Sequence, residues 1–235
     1  MSRISQSDGK GHDTMYNVIF DMDGVIFDSE RAQLDCWKEI SALYGLDMEL
    51  VQKTYIRCIG TNIHQSTAIY KAAFEKILDE NMVKKIWDES VALFRKRYSD
   101  GRLPIKAGVT EILEYLQSGG ISVGIASSTR KQTVERQIRS AGLSDYFVGF
   151  IGGDAVRISK PNPEIYLLAC REFGFEPRST FAIEDSYNGI RAANAAGMRP
   201  VMVPDIVPAD DEMESLSERV CKDLFEVMDY LKNCP

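Results

Sequence analysis

From Val109 onward the chain alternates between two hydrophobic periods, and that alternation limits the folds open to it. Val109, Ile112, Leu113 and Leu116 recur at helical spacing and are closed by Gly119-Gly120, after which residues 121–126 form a continuous apolar run of strand length. The pattern then repeats as helix 130–141, strand 146–151, helix 163–173, strand 180–183, helix 187–196 and strand 200–203, with Leu224, Val227, Met228 and Leu231 on one face of a closing helix. A further strand is expected at residues 17–21. Strands alternating with helices imply parallel βαβ units, hence an α/β fold with a doubly wound, Rossmann-like parallel sheet and helices on both faces. Ligands of such sheets bind outside the carboxyl ends of the strands, which is where chemistry should be sought.

One block breaks the alternation. From Ser29 to about Tyr98 the periods are helical throughout: Leu34, Trp37, Ile40, Ala42 and Leu43 lead to a stop at Gly45, then Ile69, Ala72, Ala73 and Ile77, then Val83, Ile86, Val91 and Phe94. An all-helical insert after a first strand reads as a small domain of its own, with the return linker at Ser99-Asp100-Gly101 and Pro104. The expected division is a loose tail over residues 1–14, an α/β core over 15–28 and 99–235, and the helical insert over 29–98.

Composition narrows the partners. Of 235 residues, 28 are basic and 35 acidic, a formal charge of −7, so the surface as a whole carries no footprint for nucleic acid or an anionic membrane, and an anionic ligand would need a local positive site. The five cysteines are widely spaced and contain no CxxC pair, which argues against a disulfide framework or a zinc site and fits a reducing cytoplasm. A monomer or weak homo-oligomer is expected.

The polar residues collect at the strand ends. Residues 18–30 read VIFDMDGVIFDSE, where an apolar run ends in Asp21, Asp23 follows, and Gly24 gives way to a loop. Side chains two apart on a strand share a face, so two carboxylates meet there, and their repulsion needs either a hard divalent cation such as Mg²⁺ or one acid kept protonated to serve a leaving group. After the run 121–126 come Ser127, Ser128, Thr129 and Arg130, hydroxyls and amides at a helix start that suit an anion. Lys160 follows the next strand in a proline-stiffened loop, and Glu184-Asp185 follow the strand at 180–183. Together these supply a nucleophile, a set of metal ligands and positive contacts for a phosphate.

These strings, in this order, resemble the four motifs of the haloacid dehalogenase-like superfamily: DMDGV, Ser127 in IASST, Lys160 in SKPNP and Glu184-Asp185 in IEDSYNG. The resemblance runs from about Asn17 to about Val203, and the helical insert looks like the first type of cap in β-phosphoglucomutase-like and phosphoglycolate phosphatase-like members. It implies that Asp21 is the nucleophile that becomes an aspartyl phosphate and that Asp23 protonates the leaving oxygen and then activates water. Mg²⁺ would be held by Asp21, the Asp23 carbonyl and Asp185, with Glu184 a further or indirect ligand, while Ser127, Ser128 and Lys160 hold the phosphoryl oxygens. Dehalogenation is disfavoured, because attack on carbon needs neither Asp23 nor Asp185. The β-phosphoglucomutase-like pattern has a histidine and an arginine in the cap where this chain shows Gln33 and Ile63, which favours a phosphatase of a small phosphorylated metabolite over a phosphomutase. A catalytically silent binder of phosphorylated ligands is the remaining alternative. Gln33, Asn62 and His64 are candidates for the cap side of the cleft, and Thr129 and Arg130 for a far anionic group of the substrate, since arginine can grip such a group in bidentate fashion.

Overall fold

Strand β1 (Asn17–Phe20) is buried on both faces: Val18 and Phe20 enter one apolar cluster and Ile19 the other, as a central parallel strand requires. In this computed structural model residues 16–99 and 101–234 are described, so the tail expected over residues 1–14 lies outside them. Helices α1 (Ser29–Leu43), α2 (Met48–Ile56), α3 (Ile63–Phe74) and α4 (Glu80–Tyr98) follow β1 without an intervening strand. The chain continues through α5 (Val109–Ser118), β2 (Val123–Ser127), α6 (Lys131–Ser140), β3 (Gly149–Gly152), α7 (Glu164–Phe173), β4 (Thr180–Glu184), α8 (Tyr187–Ala195), β5 (Arg199–Met202), α9 (Asp211–Leu216), β6 (Arg219–Val220) and α10 (Leu224–Lys232).

Among the described residues six strands form one sheet in the order β3-β2-β1-β4-β5-β6, every pair parallel, with Ile19 opposite Gly124 on one side and Ala182 on the other. The expected α/β doubly wound sheet is thus the observed one. Apolar residues of α5, α6 and α10 cover one face, among them Ile112, Leu116, Val134, Ile138, Val227 and Leu231. Ile165, Tyr166 and Ala169 of α7 with Ala192 and Ala193 of α8 cover the other. The strand order reverses beside β1, so a crevice opens at the carboxyl ends of β1, β2 and β4.

Helices α1 to α4 enclose an apolar cluster of their own, in which Trp37 stacks on Tyr70 at 3.8 Å and Trp87 meets both edge-on. Phe94 and Tyr98, at the end of α4, pack instead on the sheet's cluster. Two linkers join this helical block to the sheet and pair with each other: Asp28 N–H donates to Pro104 O at 2.9 Å, and Lys106 N–H to Ile26 O at 2.9 Å.

The structure departs from the expected elements at three places. The strand expected over 146–151 is confined to β3, because Ser144–Tyr146 turn as a short 3-10 helix and pairing with β2 starts at Gly124 opposite Gly149. Both glycines make room for Phe173, whose ring a Cβ at Gly149 would meet at 2.6 Å. Ile77, expected on a helical face, lies past the end of α3 and is exposed, because the chain turns on Phe74 O, which accepts from both Ile77 and Leu78 N–H. Helix α9 and strand β6 were not anticipated: six and two residues are too short to show a period, and only Met213 of α9 is buried.

Candidate active site

Asp21 lies just past β1, and its N–H still donates to Ile183 O at 2.9 Å, so the ladder with β4 holds its backbone. The chain then folds back: Ile26 N–H donates to Met22 O and Gly24 N–H to Phe27 O, both at 2.9 Å. Gly24 sits at φ 78°, and a Cβ there would overlap the Asp185 carboxylate, so two independent constraints demand glycine.

Lys160 is brought in from the loop before α7 and is 2% exposed. Its Nζ donates to Asp21 Oδ1 at 2.6 Å, Glu184 Oε1 at 2.5 Å and Ala126 O at 3.4 Å. An ammonium buried to this degree is tolerable because it is paired and hydrogen-bonded. Burial alone would lower its pKa, but the Asp21 and Glu184 charges outweigh that and hold it well above the ordinary lysine value.

Glu184 is saturated. Besides Lys160 it accepts from Tyr166 OH at 2.8 Å, from Asp185 and Ser186 N–H at 3.1 and 3.2 Å, and from Ser186 Oγ at 3.0 Å. The Asp185 carboxylate, by contrast, accepts no hydrogen bond from the described residues, and neither does Asp21 Oδ2. Oxygens of Asp21, Glu184 and Asp185 all lie within 4.8 Å of one another in buried surroundings, a grouping that could hold a metal ion. Burial pushes the Asp21 and Asp185 pKa values well up; Lys160 pulls Asp21 back, while Glu184 pushes both further up. Three buried acids against one lysine leave excess negative charge, and the uncommitted oxygens of Asp21 and Asp185 are hard ligands, so the donor set fits a divalent oxygen-seeking cation.

Asp23 is half-buried and ringed by hydroxyls. Ser29 Oγ donates to its Oδ1 at 2.7 Å, and Thr129 Oγ1 and Ser127 Oγ donate to its Oδ2 at 2.7 and 3.3 Å. Ser127, at the end of β2, is fully buried and its Oγ also accepts from Thr129 N–H at 3.0 Å. Thr129 therefore reaches the site as a partner of Asp23.

Of the other candidates, Asn62 is at the N-terminus of α3, where its side-chain amide donates to Ser159 Oγ across the cleft. Ser128 is half-buried, and no hydrogen bond ties its hydroxyl to the cluster. Gln33 is half-buried on α1, His64 exposed in the first turn of α3, and Arg130 exposed at the N-terminus of α6; the structure brings none of the three into the cluster. Sequence reasoning missed Glu30, in the first turn of α1, whose Oε2 accepts from Tyr55 OH of α2 at 2.5 Å. Burial lifts Glu30 to about 7, with Tyr55 pulling it down and Asp23 adding to the rise. An acid in the first turn of a helix reads as a partner of the helix dipole. Only the approach of Tyr55 from a second helix turns it inward, and no local pattern signals that.

The family model for haloacid dehalogenase-like hydrolases matches residues 18–203, which span every element of the cluster. The chain belongs to that family. It is 32% identical over 188 residues to a phosphorylated carbohydrates phosphatase of Thermotoga maritima, covering 80% of this chain and 84% of the relative. It is 29% identical over 222 residues to hexitol phosphatase B of Escherichia coli, covering 88% and 96%. The crystal structure of a β-phosphoglucomutase from Clostridium difficile superposes with a TM-score of 0.72 over 92% of this chain and 96% of that one, at 23% identity, and shares its fold.

Proposed function

We propose that this protein is a Mg²⁺-dependent phosphatase of a small phosphorylated metabolite, a sugar or sugar-acid phosphate, acting through an aspartyl phosphate on Asp21. The observation that carries the reading is the state of Asp21: one carboxylate oxygen is fixed by Lys160 while the other accepts no hydrogen bond from the described residues, beside a second aspartate. Asp21 Oδ2 attacks phosphorus as the ester P–O bond breaks, and Asp23 gives its proton to the departing oxygen. Asp23 then takes a proton from water as that water attacks the phosphorus, releasing inorganic phosphate and restoring the Asp21 carboxylate. Ser29 and Thr129 orient Asp23 for both transfers. Lys160 and Ser127 meet charge on the phosphoryl oxygens, where positioning and fixed charge do most of the work.

Mg²⁺ would be held by Asp21, Asp185 and the Asp23 carbonyl, with Glu184 supporting from behind because its oxygens are already engaged. When bound, the cation supplies positive charge toward the phosphoryl group and offsets the carboxylate repulsion. Residues 29–98 act as a cap over this cleft, with Gln33, His64 and Arg130 as candidate contacts for the far end of the substrate. The names of the relatives, phosphatases of phosphorylated carbohydrates and of hexitols, support the substrate class. Hydrolysis is favoured over phosphoryl exchange because neither the amide of Gln33 nor the exposed side chain of Ile63 can anchor a second phosphate in the cap.

The test is a panel of phosphorylated sugars, polyols and sugar acids assayed for inorganic phosphate. Release is expected with Mg²⁺, is expected to stop with EDTA, and is expected to return when Mg²⁺ is restored. With a hexose 1-phosphate the products should be free sugar and phosphate; accumulation of the 6-phosphate with little phosphate released would point to a mutase, and an unchanged rate in EDTA would overturn the cation's role.

A further inference from the structure

The cap turn between α2 and α3 touches the core at two places, near Ser186 and at Ser159. At Gly60 the backbone lies so close to the core that a Cβ would stand 2.6 Å from Ser186 Oγ, the hydroxyl that donates to Glu184. At Asn62 the side chain crosses to Ser159, the residue that precedes Lys160. The orientation of the Asn62 amide is set within the cap. Its Oδ1 accepts from Gln65 N–H at 2.9 Å, and Gln65 Oε1 accepts from Asn62 N–H at 3.0 Å, so only the NH₂ group is left to face the core.

The loop that carries Lys160 is pinned on its core side by α7. Glu164 accepts from Arg157 and Ile158 N–H at 3.1 and 3.0 Å, and Asn162 Oδ1 accepts from Glu164 N–H at 3.0 Å. Among the described residues, Asn62 makes the one side-chain hydrogen bond from the cap to this loop. A continuous chain therefore runs from the start of α3 through Asn62, Ser159 and Lys160 to Asp21.

We infer that Asn62 is a positioning residue rather than a reader of the substrate: with Ser159 it latches the cap to the lysine loop and so makes the placement of Lys160 against Asp21 depend on cap closure. This rests on the phosphatase reading of the same site. A chain of this kind acts on the step in which Lys160 meets the transferring group, so its loss should fall on kcat more than on KM, and equally for large and small esters.

Asn62→Ser keeps a side chain that caps α3 well but is too short to reach Ser159, Ser159→Ala removes the partner without touching the cap, and Ser159→Thr retains the hydroxyl. Each of the first two should lower kcat about fivefold, the worth of one hydrogen bond, on both a hexose phosphate and p-nitrophenyl phosphate. The double variant should lose no more than either single, and Ser159→Thr should keep most of the activity. Hydrogen exchange should quicken at residues 157–162 in Asn62→Ser. A loss in Asn62→Ser confined to the KM of the hexose phosphate, with Ser159→Ala unaffected, would make Asn62 a substrate contact and overturn the latch, as would additive losses. If the unaltered protein hydrolyses no ester, the phosphatase reading fails on its own and the exchange comparison decides the latch: unchanged exchange at 157–162 overturns it.

Discussion

Lys160 is a charge whose surroundings were chosen by the fold. It is buried, it bridges Asp21 and Glu184, and removing it would leave two carboxylates without their counter-ion. Breaking a buried pair from one side costs about 3–5 kcal/mol, so Lys160→Met should lower unfolding free energy by that order in urea melts as well as stop turnover. A loss under about 1 kcal/mol would mean that the carboxylates do not depend on the lysine. Glu30 offers a test of opposite sign. Its carboxyl is lifted from 4.5 to about 7, so between those values the folded protein holds a proton that the unfolded chain has released. Stability then falls as pH rises through that window, and the cost is complete above it. Glu30→Gln keeps an acceptor for Tyr55 and removes the titration. In metal-free buffer it should melt higher than the parent at pH 8 and converge with it toward pH 5; equal melting temperatures across the range would contradict the inward, desolvated placement of Glu30.

Among the elements, α8 shows how a helix is shaped by the site it supports. Alanine is worth about 1 kcal/mol more than glycine in a helix interior, so Gly189→Ala in α8 would ordinarily stabilise. Here a Cβ would overlap the Glu184 carboxylate. Gly189→Ala should therefore destabilise and depress turnover by displacing Glu184 from Lys160, and a gain in melting temperature with full activity would refute that packing. Strands β1, β2, β4 and β5 were legible in the sequence because each contains a short apolar run, and the motif residues Asp21, Asp23, Ser127, Glu184 and Asp185 do gather at the ends of β1, β2 and β4, where Lys160 joins them from the loop before α7. What stayed hidden depends on contacts distant in sequence. The approach of Tyr55 to Glu30, the reach of Asn62 to Ser159 and the turn of Thr129 toward Asp23 each join residues 25 or more positions apart. The pairing that defines β6 is equally non-local, since its two residues have no pattern apart from β5.

For the whole molecule, the sheet and the helical block divide the labour. The sheet, whose crevice lies where the strand order reverses, holds Asp21 and Asp185 just past the ends of β1 and β4, and the loop before α7 brings Lys160 to them. The helical block has its own aromatic cluster and meets the core at the paired linkers and again at the turn of Gly60 and Asn62, an arrangement suited to opening about one side of the cleft. In the proposed reaction Asp21 is the covalent carrier of the phosphoryl group. The direct measurement is to quench the protein during turnover of a hydrolysed sugar phosphate with Mg²⁺, reduce any acyl phosphate with borohydride, and map the product by mass spectrometry, with Asp21→Asn as the inactive control. Reduction confined to Asp21, and absent in the folded control, is the predicted result. Steady phosphate release with Asp21 unmodified, or continuing in Asp21→Asn, would contradict it.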